Sequence, residues 1–370
     1  MKHCIEGSEA VAQAVNNCRP DVISAYPITP QTHIVEELAL LKANGHANYE
    51  YILADSEFAA ASIVLGASAT GGRTYTATSS QGLLYMTEVI FDIAGMRLPV
   101  IMTVANRAIS APINIWNDQQ DSMTVRDSGW IMLYAKDNQS AVDLHLLAYK
   151  LAEKLKLPAM INMDGFVLTH TVEPIDIPSV SDTKKFLPSY KPEVGQILDT
   201  KNPVTLGSFV TPEYYQEIRF DLHSDLLRAK ELFTKEAIKF NKIFHRQHDL
   251  VEYYGTAKPD SVIITIGSVF GTIQDVVDEL NNRGQKVGVF HLTCFRPFPD
   301  EQIVEKLSKI KSIAVLEKDI SLGSSAGLDM EIRRALFNKN KSTVTSFVYG
   351  LGGRDITPEY IREIFKQIKQ

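Results

Sequence analysis

The chain has 370 residues, of which 45% are hydrophobic and 22% charged, and its net charge at neutral pH is −6. Length and composition fit a globular protein of two or three domains, and the negative charge argues against a nucleic-acid partner. No apolar run approaches the ~18 residues of a membrane span, and the first residues lack the apolar core of a signal peptide. We therefore expect no membrane association and a cytoplasmic location.

The spacing of cysteine and histidine predicts no metal centre within the chain. The three cysteines, Cys4, Cys18 and Cys294, form no CxxC pair of the kind that holds zinc or an iron–sulfur cluster. The nine histidines form no HxxxH or HExxH pair, which leaves zinc-dependent hydrolysis without support.

Residues 1–172 alternate strand-like and helix-like runs. The expected strands are Val22–Ala25, Tyr49–Ala54, Thr74–Thr78, Leu98–Ala105, Trp130–Tyr134 and Pro158–Met163. Strands that alternate with helices predict βαβ units and a parallel sheet. Because the strands are continuously apolar, the sheet should be covered by helices on both faces, which predicts a doubly wound α/β domain.

The remainder of the chain divides into two parts. Residues 173–258 begin with a cluster of prolines and polar residues, which predicts a surface linker, and continue with a charged connecting helix over Asp221–Asp249. Residues 259–370 return to alternating strands and helices, which predicts a second, smaller doubly wound domain.

The turn Tyr26–Pro30 follows the first strand of the doubly wound domain. Pro27 and Pro30 stiffen it, because each fixes its own φ and moves the preceding residue away from the helical region. The turn therefore presents Ile28 and Thr29 at the carboxyl end of a strand, where open α/β sheets bind their ligands.

Glu57 stands at the start of the helix that follows Tyr49–Ala54. Two roles are open to it. With Ser56 or Asp55 as the helix cap, an acid in the first turn stabilises the helix through its dipole. Alternatively, the carboxylate belongs to a ligand site at the same sheet edge as Thr29.

Arg107 follows the strand Leu98–Ala105 and also has two interpretations. It is either a surface arginine paired with Asp118, Asp121 or Asp127, or a fork that grips a substrate carboxylate through two parallel hydrogen bonds.

The loop from Ala108 to Thr124 exceeds the length of roughly 12–15 residues above which loops are usually functional, so we expect it to cover a cleft or face a partner. Metal binding by Asp118 and Asp121 is the weaker interpretation, because their spacing matches no calcium loop. The turns Gly267–Gly271 and Gly323–Gly327 each precede a helix. They are candidate phosphate cradles, with close helix packing as the alternative.

Several stretches taken together resemble a known family. They are Tyr26-Pro27-Ile28-Thr29-Pro30, Asp55-Ser56-Glu57, Thr78-Ser79-Ser80-Gln81-Gly82, Ala105-Asn106-Arg107-Ala108 and Ile115-Trp116-Asn117-Asp118-Gln119-Gln120-Asp121. The set is similar to the alpha subunit of the 2-oxoacid:ferredoxin oxidoreductases, of the pyruvate type. The resemblance extends over nearly the whole chain, including Cys294–Pro299 and Tyr349–Asp355.

The resemblance implies a thiamine-diphosphate enzyme. Its pyrimidine-binding domain would be residues 1–172, and residues 259–370 would be similar to the transketolase C-terminal domain. Glu57 would hydrogen-bond the aminopyrimidine ring, where a carboxyl group favours the imino tautomer that can take up the thiazolium proton. Pro27 and Ile28 would contact the cofactor, and Thr29 and Arg107 would bind the substrate carboxylate.

The resemblance also implies that half of the site lies elsewhere. The family holds diphosphate and Mg²⁺ with a GDG motif, which Met163-Asp164-Gly165 does not match. A beta chain would supply this half, [4Fe-4S] clusters would lie in partner chains, and gamma and delta chains are expected. Pyruvate, coenzyme A and ferredoxin would be the reactants, with 2-oxoglutarate, a branched-chain 2-oxoacid or oxalate as alternative substrates. The alternative of another class is a non-catalytic assembly scaffold.

Overall fold

The computed structural model describes residues 2–339 and 342–369 and confirms the predicted α/β class. The strands are β1 (Lys2–Glu6), β2 (Val22–Ala25), β3 (Glu50–Leu53), β4 (Thr74–Thr78), β5 (Ile101–Asn106), β6 (Ile131–Tyr134), β7 (Ala159–Asp164), β8 (Val172–Asp176), β9 (Val251–Gly255), β10 (Ser261–Thr265), β11 (Val287–Leu292), β12 (Cys294–Arg296), β13 (Ser312–Glu317) and β14 (Thr343–Val348). The helices are α1 (Gly7–Cys18), α2 (Thr32–Ala43), α3 (Glu57–Ala69), α4 (Ser80–Tyr85), α5 (Thr87–Gly95), α6 (Gln120–Thr124), α7 (Asn138–Leu155), α8 (Val180–Phe186), α9 (Pro212–Phe244), α10 (Val269–Asn282), α11 (Asp300–Leu307), α12 (Gly327–Leu336) and α13 (Pro358–Gln367).

The first sheet has seven strands in the order β12-β6-β7-β5-β4-β2-β3. Neighbouring strands are parallel except β12, which runs antiparallel to β6. After β2 the chain adds β3 on one side and then crosses back to place β4 on the other. The strand order therefore reverses between β2 and β4, and such a switch point opens a crevice outside the carboxyl ends of the strands.

The second sheet has five strands in the order β14-β13-β10-β11-β9, with β9 as an antiparallel edge. Its strand order reverses between β10 and β13, which defines a second switch point. The carboxyl edges of the two sheets face each other, because Asp164 at the end of β7 contacts Ser268 after β10 and Lys318 after β13.

Most interior strands of the two sheets are buried along their whole length, as a sheet covered on both faces requires. Every residue is buried in β4, β5, β6 and β7 of the first sheet and in β10 and β11 of the second. None of the described helices combines the length and the apolarity that a membrane crossing needs.

Two strands depart from the predicted division of the chain. β9 lies within the expected linker 173–258, yet it forms an edge of the second sheet. β12 lies within 259–370, yet it pairs with β6 of the first sheet. Both are short edge strands, and a three- to five-residue pattern does not indicate which sheet a strand will join.

One predicted helix has different bounds in the structure. The connecting helix α9 runs over Pro212–Phe244 rather than Asp221–Asp249, and it begins with a proline in its first turn, where a missing N–H costs nothing.

Candidate active site

The turn Tyr26–Pro30 lies at the first switch point. Its shape is fixed by the buried Gln31, whose Oε1 accepts from the backbone N–H of Ile28 (3.2 Å) and whose Nε2 donates to the carbonyl of Ala77 (2.8 Å). The turn is thereby attached to β4 across the crevice. Thr29 is exposed at its tip.

Arg107 crosses the crevice to this turn. Its Nη1 donates to the carbonyl oxygen of Thr29 (2.7 Å), and its side chain is buried, so the interpretation as a surface arginine is wrong. Its Nε is buried and has no hydrogen-bond partner in the protein. Burial lowers the pKa of the guanidinium, while the nearby carboxylates of Asp121 and Glu57 act to raise it. A guanidinium N–H without a partner can donate to an anionic ligand group.

Glu57 occupies the first turn of α3 and is half-buried. The Oγ of Ser56 accepts from the backbone N–H of Ala59 (3.1 Å), so Ser56 caps the helix and leaves the carboxylate of Glu57 uncommitted. Glu57 lies on Gly82, where a Cβ would come 2.8 Å from its Cγ and 2.5 Å from Thr78 Oγ1. That hydroxyl is itself buried without a partner. Glycine at position 82 therefore leaves space for Glu57 over the end of β4.

The predicted site residues thus share one edge of the first sheet. The structure joins Thr29 and Arg107 directly and places Glu57 within electrostatic reach of Arg107. Ile28 is half-buried behind Thr29, whereas Pro27 is exposed.

Several exposed apolar side chains lie at or beyond the carboxyl ends of β2, β3, β4 and β5. They are Tyr26 (38% exposed), Leu53 (64%), Tyr85 (58%), Ile113 (80%) and Trp116 (52%). Apolar groups concentrated around one opening are typical of a surface that binds another protein or a ligand.

At the second switch point, side chains of the chain itself form a buried network around Asp164. Asp164 accepts from the backbone N–H of Ser268 (2.8 Å), from its hydroxyl, and from the ammonium of Lys318. Its other oxygen accepts from Gln119 Nε2 (3.1 Å) and Asn117 Nδ2 (3.2 Å). Burial alone would raise the pKa of Asp164, but Lys318 and Ser268 outweigh it and hold the pKa below its usual value.

The glycine-rich turn at Gly267 was a candidate to bind phosphate. The carboxylate of Asp164 accepts the hydrogen bonds from Ser268 that a phosphate would have accepted. Gly267 has φ +79°, and a Cβ there would meet Asp164 Oδ2 at 2.8 Å. The second cradle is filled in the same way, because Glu317 accepts from the backbone N–H groups of Leu328 (2.6 Å) and Asp329 (2.9 Å) at the start of α12. The close-packing alternative holds at Gly267, whereas a Cβ added at Gly271 or Gly323 would meet no atom within 4 Å.

The loop Ala108–Thr124 contacts the domain that contains the second sheet. This contact supports the expectation that the loop covers a cleft. The backbone N–H of Gly352 donates to Asp118 (3.1 Å), and that of Gly353 donates to the carbonyl of Asn117 (2.7 Å). Asp118 also accepts from Gln120 (2.9 Å). The carboxylate is therefore occupied by protein donors rather than being free for a metal.

Within residues 2–339 and 342–369, one group of side chains lies close enough to share a metal ion: Glu6, His33 and His170. The Nδ1 atoms of both histidines already have hydrogen-bond partners in the protein. His33 Nδ1 lies 2.7 Å from Glu6 Oε1, and His170 Nδ1 lies 2.7 Å from Thr169 Oγ1. The three residues come from distant parts of the sequence, so spacing rules could not find them.

The fold describes an α/β protein with a candidate ligand site at the switch point of its first sheet. Comparison with protein-family models identifies the family. Residues 13–237 match "Pyruvate flavodoxin/ferredoxin oxidoreductase, thiamine diP-bdg", and residues 259–361 match "Pyruvate:ferredoxin oxidoreductase core domain II". The chain belongs to the pyruvate flavodoxin/ferredoxin oxidoreductase family, whose members are oxidoreductases.

Curated relatives agree over almost the whole chain. "Pyruvate synthase subunit PorA" of Methanocaldococcus jannaschii is 46% identical and covers 99% of this chain and 94% of its own. The protein of the same name in Methanosarcina barkeri is 45% identical, with 99% and 92% covered. "Ketoisovalerate oxidoreductase subunit VorA" of Pyrococcus abyssi is 38% identical, with 100% and 94% covered.

A solved structure shares the fold. It is the 2-oxoglutarate:ferredoxin oxidoreductase of Magnetococcus marinus, determined with 2-oxoglutarate, coenzyme A and succinyl-CoA bound. The superposition has a TM-score of 0.74 at 20% sequence identity and covers 100% of this chain. This chain spans 65% of the length of that one.

Proposed function

We propose that the chain is the alpha subunit of a pyruvate:ferredoxin oxidoreductase. The enzyme would convert pyruvate and coenzyme A into acetyl-CoA and carbon dioxide while reducing ferredoxin, and would also run in reverse as a pyruvate synthase. The observation that carries the proposal is the near-full-length identity of 43–46% to chains named pyruvate synthase subunit PorA. The relative named for ketoisovalerate is less similar, at 38%.

The crevice fits the pyrimidine end of thiamine diphosphate. Glu57 is half-buried, its carboxylate is not used in capping α3, and Gly82 leaves room beside it. Glu57 would donate or accept a proton at the cofactor's ring nitrogen and so favour the tautomer that can deprotonate the thiazolium carbon. When bound, the cofactor supplies an electron sink for decarboxylation.

The substrate carboxylate would be held by the opposite wall. Arg107 offers its unpartnered Nε in a buried setting, where a charge-assisted hydrogen bond is stronger than in water. Thr29 would add its exposed hydroxyl, and its carbonyl holds Arg107 in position. One cation and one hydroxyl suit a short monocarboxylate such as pyruvate better than oxalate, whose second charge would favour a second cation.

The remaining half of the site would come from partner chains. Asp164 precedes Gly165 in the stretch that was compared with a diphosphate-binding motif. Its carboxylate already pairs with Lys318 and accepts from Ser268. A beta chain would therefore bind the diphosphate and Mg²⁺ against the exposed apolar side chains around the crevice. Iron–sulfur clusters, together with gamma and delta chains, would complete the path of electrons to ferredoxin.

A substrate panel tests the proposal. The chain is co-produced with its native partners, and ferredoxin reduction is measured with coenzyme A and pyruvate, 3-methyl-2-oxobutanoate, 2-oxoglutarate or oxalate. We expect the highest kcat/KM with pyruvate. A higher value with another 2-oxoacid would reassign the substrate, and a complex inactive with all four would favour the scaffold alternative.

A further inference from the structure

Asp121 is a buried carboxylate that the proposed reaction does not use directly. It lies in α6, has no exposed surface, and accepts four hydrogen bonds. Oδ2 accepts from the backbone N–H groups of Ser80 and Arg107, both at 3.0 Å. Oδ1 accepts from Asn106 Nδ2 (2.8 Å) and from the backbone N–H of Ser122 (2.7 Å).

The two donors to Oδ2 lead to opposite walls of the crevice. Ser80 begins the segment Ser80–Gly82, and Gly82 supports Glu57, since a Cβ there would lie 2.8 Å from Glu57 Cγ. Arg107 forms the other wall and holds Thr29. A single oxygen atom therefore fixes the backbone beneath Glu57 and the backbone of Arg107 relative to each other.

The four N–H donors around Asp121 match an ionised carboxylate, the form that predominates above the pKa of about 7 to which burial raises this group. A carboxylate offers two oxygens that together accept about four hydrogen bonds, and all four donors here are neutral. Asparagine has the same shape, but its NH₂ group would face N–H donors on one side. The backbone at Ser80 adopts φ +47°, which is uncommon for a residue other than glycine, and the bond to Asp121 offsets that strain.

We propose that Asp121 is a positioning residue that sets the distance between the wall carrying Glu57 and the wall carrying Arg107. The inference rests on the proposed function, in which those two side chains face cofactor and substrate. Asp121 itself touches neither ligand and acts through the backbone that it holds.

The kinetic test uses Asp121→Asn in the complete complex. The matched control is Asp143→Asn, because Asp143 is equally buried but accepts from Arg246 and His248, away from the crevice. We expect Asp121→Asn to raise the KM for pyruvate about tenfold, as misplacement of a binding group does, and to leave the KM for coenzyme A within about twofold. Asp143→Asn should leave both KM values unchanged. An unchanged pyruvate KM in Asp121→Asn, or an equal rise in both KM values, would overturn the proposal.

Hydrogen exchange supplies a test that does not depend on the substrate. In the assembled complex, Asp121→Asn should speed exchange of the amides of Ser80 and Arg107 and leave α7 as in the unmodified chain. If the unmodified complex does not use pyruvate, the proposed function fails, while these exchange rates still decide the role of Asp121. Unchanged exchange at both amides would refute it.

A milder variant covers the case in which Asp121→Asn does not assemble. Asn106→Ala removes one donor and keeps the carboxylate. It should raise the pyruvate KM two- to threefold with coenzyme A unaffected, and equal KM values in the variant and the unmodified complex would count against positioning.

Discussion

The two switch points of this molecule have the same topology and opposite contents. At the first, between β2 and β4, Thr29 is exposed, Glu57 is half-buried and Arg107 keeps an unpartnered Nε. At the second, between β10 and β13, Asp164 and Lys318 pair with each other. The first switch point therefore keeps groups without protein partners, whereas the second holds a buried ion pair beside a cleft of about 180 Å³ lined by Asn117, Ser268 and Lys318.

The difference between the two switch points separates residues that would bind a ligand from residues that hold the two sheets together. A buried polar group without a partner is costly, and a ligand that hydrogen-bonds to it removes that cost. A buried ion pair surrounded by hydrogen bonds instead fixes how two parts of a chain meet. Changes at the first switch point should therefore alter activity, and changes at the second should alter stability.

The largest effect is expected from Glu57→Gln. The amide keeps the size of the side chain but cannot exchange a proton with the cofactor ring, so kcat should fall by roughly 10²–10⁴-fold, the usual contribution of a general acid or base. The measurement is pyruvate-dependent ferredoxin reduction by the complete complex. Glu50→Gln, an exposed acid on the neighbouring strand, is the control and should keep full activity. Full activity in Glu57→Gln would remove Glu57 from the mechanism.

At the second switch point, Lys318→Met should destabilise the chain but leave the KM for pyruvate of the folded complex unchanged. It leaves Asp164 as a buried charge without its cation, which costs about 3–5 kcal/mol of unfolding free energy. Urea denaturation of the isolated chain measures the loss, with the exposed Lys309→Met as control. If the folded complex with Lys318→Met shows a raised pyruvate KM and normal stability, the distinction between the two switch points is wrong.

Sequence patterns predicted the first switch point far better than the second. The spans of β2 and β4 agree with prediction, because each is a β-branched or apolar run that ends at a turn signal. The positions of Thr29, Glu57 and Arg107 at one sheet edge follow from the predicted strands that precede them, Val22–Ala25, Tyr49–Ala54 and Leu98–Ala105.

The second switch point could not be predicted because its partners are remote. Asp164 and Lys318 are 154 residues apart, and a single acid at a strand end gives no signal of its partner. Gln31 was missed, and Asp121 was given other roles, for a similar reason: a polar residue that holds backbone groups of another loop shows no periodicity or motif.

A smaller effect is expected from Arg107→Lys. Lysine keeps the charge but loses Nε and the planar fork, so the KM for pyruvate should rise about tenfold, equivalent to ~1.4 kcal/mol. Arg283→Lys, on the exposed end of α10, is the control. Pyruvate KM values that agree between Arg107→Lys and the unmodified complex would argue against carboxylate binding by Arg107.

The smallest effect concerns the two buried aspartates, whose pKa values shift in opposite directions. Burial raises the pKa of Asp121 to about 7 despite its four hydrogen bonds. At Asp164 the effect of burial is outweighed by Lys318 and Ser268, which lower its pKa. The pKa of an aspartic acid in the unfolded chain is ~4. Between that pH and pH 7, Asp121 is protonated in the folded chain and ionised in the unfolded chain. Its contribution to the unfolding free energy therefore falls as the pH rises through this range. The contribution of Asp164 is present above the unfolded value and is lost only as pH falls below it, so it should be constant from pH 5 to 7.5.

Urea denaturation of Asp121→Asn and Asp164→Asn at pH 5, 6 and 7.5 compares the two contributions. The unfolding free energy of the unmodified chain minus that of Asp121→Asn should decrease with pH, by at most about 1.4 kcal/mol per pH unit. The same difference for Asp164→Asn should be flat. Parallel slopes for the two variants would mean that the carboxylates have equivalent environments, and the contrast between the switch points would then not extend to their buried charges.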